Sequence, residues 1–422
     1  MNYDVVVIGA GLAGFSAALA AVKEGKQVLV IAKGMGNLYS SSGYIDLLGY
    51  YPTTSKKPVV NPQKILDSLI VENPNHPYAK VGKDIIIKAF NDFLLVSEEM
   101  GLPYTGSLNA NMMMPTAAGA LVPTTLYPKS TDKKITVDRE IVVVGIKELV
   151  DFYPAYVAQN LELQLGRKVK PLWIDLQLNI SRELNSYDLA LALEKPQVRN
   201  GLIDQLINLN VRDSLILIPA VLGVTRWQEV ISNIEQSLNC ELLEIPTLPP
   251  SVMGYRLAES FKLYLKNKGV EFIIGYPVAY AKFLDGYCEE ISIYTANDRL
   301  KKIKAQNFCL ATGGILGEGL QVLPREIKED VFGLPIQVPR EYSLHDFFSL
   351  EGQPLSYAGV NVNDRLQPFD PQTKETLLKN VFVAGATLAG YDPFVEKSGN
   401  GVALTSGYKA GLLAAKGGIL NE

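Results

Sequence analysis

The sequence predicts an α/β protein whose principal domain is Rossmann-like and assembled from both ends of the chain, with a small antiparallel β-meander and an inserted α/β domain. Three observations carry this expectation. The chain opens on an apolar run, a G-x-G-x-x-G turn, a small-residue helix and a second apolar run, in that order. Two later apolar runs, Asn307–Ala311 and Asn380–Ala384, also end in glycine or other small residues. Between the two ends lies a long mixed segment without an internal repeat.

Taken in order, Val5–Ile8 is β-branched and uncharged, as a strand buried on both faces must be. Gly9 allows the tight turn out of it, Gly11 lets a phosphate approach the backbone, and Gly14 lets helix and strand pack closely. The helix Phe15–Lys23 follows; its approach through Leu12 and Ala13 presents free N–H groups and a positive dipole end to that phosphate. Gln27–Ile31 is the second strand. A dinucleotide fold usually ends this strand in Asp or Glu to hold a ribose hydroxyl, but here the chain reads Ala32-Lys33-Gly34. The next loop, Asn37–Leu47, is hydroxyl-rich, with Ser41, Ser42 and Gly43 at its centre. It offers donors to an anionic or heterocyclic ligand, and it reads equally as a polar surface turn.

Residues 52–75 are rich in Pro, Lys and Asn and mark an exit from the first unit. Helical patterning falls on Lys83–Met100 and Glu148–Gln164, and strand-like runs on Ile135–Val144 and Ser214–Ala220. Met112–Met114 reads as core or buried-loop filler, with an adaptable site as the alternative. At Ser251 an N-cap starts a helix to about Lys268, stopped by Gly269, before a strand at Val270–Ile274. Ala279–Lys304 alternates around turns at Asp285-Gly286 and Asn297-Asp298, which is the meander. A last small-residue helix opens at Ser398 and closes at Gly411 or beyond. The expected domains are therefore 1–51 with 245–422, enclosing one ligand, and 52–244 inserted as a cap.

Composition narrows the function. A net charge of −4 leaves no footprint for nucleic acid or anionic lipid. The uncharged stretch Val5–Val22 is broken by glycines and lacks a basic leader, so neither a signal peptide nor direct membrane insertion is expected. Cys240, Cys288 and Cys309 form no C-x-x-C pair, which leaves no metal or iron–sulfur site and fits a reduced, cytoplasmic setting.

The Gly9/Gly11/Gly14 turn, Ala311-Thr312-Gly313-Gly314, and Val383-Ala384-Gly385 followed by Gly399–Leu404 resemble the flavoproteins that include the flavin subunits of fumarate reductase and succinate dehydrogenase. Ser41–Leu48, Val142–Leu149 with Asp151-Phe152, Gly390–Pro393 and above all Pro246–Leu257 are similar to the B subunits of anaerobic glycerol-3-phosphate dehydrogenase. That resemblance implies oxidation of sn-glycerol 3-phosphate to dihydroxyacetone phosphate, with electrons passed to quinone. It also implies two partners, a sister flavoprotein and an iron–sulfur subunit that docks the assembly at the cytoplasmic membrane. The implied cofactor is FMN, in keeping with the missing acid at Ala32, with FAD as the alternative. No histidine lies between residues 35 and 50, so the flavin is expected to be non-covalent.

On this reading the flavin contacts are Gly9, Gly11, Leu12, Ala13, Gly14, Lys33, Ser41, Ser42, Gly43, Thr312, Gly313, Gly314 and Gly385. Gly401, Val402 and Ala403 would aim a helix N-terminus at the pyrimidine edge of the flavin; close packing of a small-residue helix is the other reading. Alcohol oxidation also needs a base and cations for a phosphate. Only His76 and His345 are histidines; His345, beside Asp346, is the candidate base, and Arg256, Arg340 and Lys397 are the candidate cations. This equipment is sparse. A flavin-bearing electron-transfer and scaffolding protein within the same complex therefore stands as a second reading, and an unrelated FAD-dependent reductase as a third.

Overall fold

The computed structural model describes residues 2–135, 139–178, 182–296, 299–324, 326–346 and 349–419. Its principal sheet has seven strands, in the order Glu271–Ile274, Val28–Ala32, Asn2–Ile8, Arg299–Leu310, Tyr287–Thr295, Val278–Leu284, with Val381–Val383 also pairing on Arg299–Leu310. The expected meander and the expected Asn307–Ala311 strand are not separate. Arg299–Leu310 runs unbroken: its first half pairs antiparallel with Tyr287–Thr295, and its second half lies parallel between Asn2–Ile8 and Val381–Val383. The Asn297-Asp298 turn lies outside the described residues.

Register aligns the carboxyl ends of the parallel strands. Ile8 faces Ile31 on one side and Leu310 on the other, Ile31 faces Ile273, and Leu310 faces Val383. The four strand ends expected to gather small residues therefore share one edge of one sheet.

Two helices clamp this sheet and join the chain's ends. The opening helix, Leu12–Lys23, packs along the terminal helix, Gly399–Ala415. A Cβ on Gly407 would come within 2.2 Å of the Ala13 carbonyl oxygen, and one on Gly411 within 2.1 Å of that of Ala17. The two backbones thus meet where no side chain fits, and Ser16 Oγ donates to the Leu404 carbonyl across the contact at 2.6 Å. From Leu404 to Ala415 every residue is buried, so this helix is enclosed on all sides.

The inserted part is a four-stranded parallel sheet, Glu241–Ile245, Leu215–Pro219, Ile141–Ile146 and Lys170–Ile174, flanked by helices such as Pro154–Leu165 and Trp227–Leu238. It has its own apolar core. The expected boundary at residue 52 differs from the packing. Helices Pro62–Glu72, Pro77–Val81 and Lys83–Glu99 place Leu66, Leu69, Tyr78, Val81, Phe90 and Phe93 in the core of the principal domain. The first of them falls in the expected exit segment, yet Asn61 caps it, its side chain accepting from Lys64 N–H at 2.9 Å with Pro62 in the first turn. Met112–Pro115 is one arm of a hairpin with Leu121–Thr124, which puts Met114 inside and Met113 at the surface.

One buried cation in this fold sets a pH dependence. Lys409, in the terminal helix, is 8% exposed and donates to the Lys80 carbonyl at 2.6 Å. Burial lowers its pKa to about 8, with Asp364 partly offsetting and the Lys80 ammonium adding to the effect. The unfolded lysine keeps its proton to about 10.4, so unfolding takes up a proton between these values and the site gains stability as pH rises through that window. Lys409→Met is expected to melt above the wild type at pH 7, with the difference narrowing toward pH 10. A difference in Tm that widens with pH would contradict this.

Candidate functional site

The turn at the head of the sheet is held from both sides. Gly9 N–H donates to the Ile31 carbonyl at 2.7 Å, and Ala311 N–H to that of Ile8 at 2.8 Å. Gly9 adopts φ +120°, and a Cβ there would lie 2.1 Å from the Ala311 oxygen; a Cβ on Gly14 would lie 1.9 Å from the Gly9 oxygen. Both positions are closed to every other residue by the fold itself. Gly11 is different. It caps the opening helix at φ −86°, which any residue adopts, and a Cβ there would meet nothing within 4 Å. No atom of the chain requires glycine at this position, so the space it leaves suits a group from outside, resting on the free N–H groups of the helix start.

The residues at the neighbouring strand ends and at the start of the terminal helix are mostly small. Gly9 and Gly11 are partly exposed, whereas Leu12, Ala13 and Gly14 are buried behind them. Thr312, Gly313 and Gly314 are partly exposed at the next strand end, and Thr312 Oγ1 is buried without a hydrogen-bond partner. Gly385, at φ +74°, is buried, and its N–H donates to Ser406 Oγ at 2.9 Å. On the terminal helix, Gly401 and Val402 are buried, while Gly399, Asn400 and Ala403 remain open at its N-terminal end. Gly11 with free space at its Cβ position, Thr312 with its unpartnered hydroxyl and the partly exposed start of the terminal helix are the groups here that could hold a flavin nucleotide.

The serine loop has a double character. Ser41 Oγ donates to the Leu38 carbonyl at 3.0 Å and accepts from Gly43 N–H, and Ser42 Oγ accepts from Tyr44 N–H at 3.2 Å. These hydroxyls brace the loop, and Tyr104 Oη fixes it from behind by donating to the Gly43 carbonyl at 2.6 Å. Lys33 is exposed at the end of the second strand and pairs with Glu318, which stands on the turn after Gly314. This pair spans the end of Asn2–Ile8 to join the ends of the two strands that flank it, at the position where a ribose-holding acid is missing.

The four catalytic candidates fare unevenly. Arg256 is 4% exposed and wholly engaged: it meets Glu244 at 2.6 and 3.0 Å and donates twice to the Gly223 carbonyl, at 2.9 and 2.6 Å. Its guanidinium also lies over the Trp227 ring. Arg256 is therefore a structural tie between the Val252–Asn267 helix and the inserted domain, buried with four of its five N–H donors used inside the protein. His345 and Arg340 lie in exposed irregular chain and make no hydrogen bond or ion pair among the described residues, so nothing orients either of them toward the cradle. Lys397 does reach the site. It sits at φ +50° immediately before the terminal helix, its Nζ 3.6 Å from Asp46 Oδ2.

Sequence reasoning passes over the groups that collar this helix start. A Cβ on Gly401 would lie 2.4 Å from both the Asp46 carbonyl oxygen and Tyr78 Oη, and Asn400 donates to the Tyr44 carbonyl at 2.7 Å. His76 is buried; its Nδ1 accepts from Tyr78 N–H at 3.0 Å, which assigns the ring proton to Nε2, donated to Glu396 at 3.1 Å. Ser398 Oγ donates to the same carboxylate oxygen at 2.8 Å. Both ring nitrogens are occupied, so His76 anchors the segment before the helix. The nearest hint in the sequence is the Gly390–Pro393 stretch, which marks the neighbourhood without its partner.

A Rossmann-like sheet with a glycine turn at the shared edge of its strand ends, in a chain whose residues 4–402 match the FAD binding domain family, defines a flavin-nucleotide-binding protein. The chain belongs to the family formed by the B subunits of anaerobic glycerol-3-phosphate dehydrogenase. It is 32% identical to the B subunit of that enzyme from Aliivibrio fischeri (strain MJ11), with 97% of this chain and 94% of the relative covered. Identity is also 32% to its counterpart from Vibrio cholerae serotype O1 (strain ATCC 39315 / El Tor Inaba N16961), with 97% and 96% covered. Among solved structures, the open conformation of a flavocytochrome c3 fumarate reductase aligns over 99% of this chain and 79% of its own, at 12% identity and a TM-score of 0.48.

Proposed function

We propose that the chain is the flavin-bearing B subunit of a glycerol-3-phosphate dehydrogenase, oxidising sn-glycerol 3-phosphate to dihydroxyacetone phosphate. Electrons then pass to quinone through a sister flavoprotein and an iron–sulfur subunit at the membrane. The observation that carries the reading is the Gly11 turn, where no atom of the chain comes within 4 Å of a Cβ position, at the shared edge of the strand ends in a chain of this family. When bound there, the flavin supplies the two-electron oxidant; the chain's residues hold its phosphate, exclude water and position the alcohol. No described helix is long and apolar enough to cross a membrane, which accords with attachment through partners.

FMN is the cofactor this reading favours. The Val28–Ala32 strand lacks the ribose-holding acid, and the Lys33–Glu318 pair bridges the place where an adenosine would extend. Acid release of the bound flavin followed by chromatography is expected to yield FMN; FAD in equal molar ratio to protein would overturn this choice. The second reading, an electron-transfer and scaffolding role, draws support from the engagement of Arg256 and the exposure of His345 and Arg340. Anaerobic mixing with sn-glycerol 3-phosphate separates the two. Bleaching of the flavin in the isolated chain within seconds supports catalysis by this chain itself, whereas bleaching only in the presence of the partners supports relay.

A further inference from the structure

The collar of the terminal helix contains a group of polar atoms that the chain itself leaves unsatisfied. Tyr44 Oη, Asp46 Oδ1 and Thr124 Oγ1 are all buried without a hydrogen-bond partner. Thr124 and the Thr125 backbone face the Asp46 carboxylate and partly offset its burial, but neither makes a well-formed hydrogen bond to Oδ1. Native interiors carry a few such atoms, scattered; the gathering of three near a single carboxylate points to a guest with its own polar atoms. The three atoms themselves are closed to solvent, but the pair beside them is not sealed: the Asp46 side chain is 15% exposed and that of Lys397 is 26% exposed, so a guest reaches the three atoms only as these two side chains shift.

The charges say which part of a guest belongs there. Asp46 Oδ1 accepts and cannot donate while ionised, so it calls for an O–H or N–H. Tyr44 and Thr124 each donate or accept, which suits a hydroxyl that gives its proton to Asp46 and receives one in return. A phosphate is excluded, because a dianion beside a buried carboxylate is repelled, and the Lys397 ammonium, 3.6 Å from Asp46 Oδ2, already balances that carboxylate. The expectation that Lys397 binds the substrate phosphate gives way to a role in holding Asp46 ionised and oriented.

We propose that Asp46, Tyr44 and Thr124, with Lys397 as counter-ion, form a hydroxyl-recognition subsite that receives the uncharged, hydroxyl-bearing end of a short polyol phosphate. This rests on the function proposed above and assigns the end of the substrate remote from its phosphate. A site built around a ligand hydroxyl discriminates strongly against an analogue lacking it, because the buried partners are then left unpaired.

The test compares sn-glycerol 3-phosphate with propane-1,2-diol 1-phosphate, which lacks only the terminal hydroxyl, by titration calorimetry on the flavin-loaded full chain. The wild type is expected to bind the former about 10- to 100-fold more tightly, the range of one hydrogen bond to a charged group. Asp46→Asn is expected to lose most of that preference by weakening the first ligand while leaving the second unchanged. Thr124→Val serves as the second variant: it keeps the shape of the side chain and gives up only the hydroxyl that faces the Asp46 carboxylate, so the protein should remain folded and the preference should fall. Equal binding of the two phosphates by the wild type, or a preference untouched by both substitutions, overturns the subsite and leaves an ordered water as its occupant. A wild type that binds neither phosphate, and whose flavin sn-glycerol 3-phosphate fails to reduce even with partners, overturns the proposed function together with it.

Discussion

Gly11→Val is expected to give a folded protein that purifies colourless. Nothing in the chain lies within 4 Å of the position a Cβ would take there, and the backbone already has an ordinary extended conformation, so the unliganded fold has no reason to object. The cofactor does. A branched side chain over the helix start separates a phosphate from the N–H groups meant to hold it. Loss of two charge-assisted hydrogen bonds at about 2 kcal/mol each lowers affinity by roughly three orders of magnitude. Absorbance of the purified variant near the flavin bands gives stoichiometry, and its Tm should match that of the flavin-stripped wild type. A yellow variant with full flavin content would remove the basis for the site. The flanking glycines provide the contrast: Gly9→Val and Gly14→Val place a side chain about 2 Å from the Ala311 and Gly9 oxygens, and both are expected to fail to fold.

The other large effect belongs to the pair that removes Arg256 from the catalytic candidates. Glu244 is 0% exposed, and its carboxylate also accepts from Leu222 N–H at 3.1 Å. Glu244→Ala leaves the Arg256 guanidinium buried without a counter-charge, a change that costs about 3–5 kcal/mol. The loss is expected in the denaturant transition of the inserted sheet, whose last strand carries Glu244, while flavin content stays normal because the cradle is built elsewhere. The double change Glu244→Leu with Arg256→Met removes both charges and should recover much of the stability, since an apolar pair of similar size often replaces a buried ion pair without penalty. A loss below about 1 kcal/mol in the single variant would show the pair to be open to water.

Residue by residue, the parts of this molecule legible in its sequence are those determined locally. Val5–Ile8, Val28–Ala32, Asn307–Leu310 and Val381–Val383 are apolar runs ending at small residues, so their common edge follows from pattern and topology. Ser251 announces its helix correctly, its side chain accepting from Gly254 N–H at 3.3 Å. What stays hidden depends on distant chain. His76 and Glu396 are 320 positions apart, and Lys33 and Glu318 are 285 apart. Arg256 illustrates the opposite hazard: it stands beside a family motif and invites a ligand role, yet a carboxylate only 12 positions earlier holds it. Proximity along the chain gives its neighbourhood but not its partner. The helices between residues 62 and 99 fall on the cap side of the expected boundary because nothing local says which of two cores an amphipathic face will choose.

The clamp between the opening and terminal helices has a consequence for biosynthesis. The Leu12–Lys23 helix rests on Gly407 and Gly411, made much later, and the Asn2–Ile8 strand finds its central neighbour only when residues 299–310 have been translated. The parallel sheet between residues 141 and 245 depends on no such late arrival. The inserted unit can therefore mature during translation, while the segment at residues 2–23 waits, apolar and unpaired, until residues 399–415 have been made.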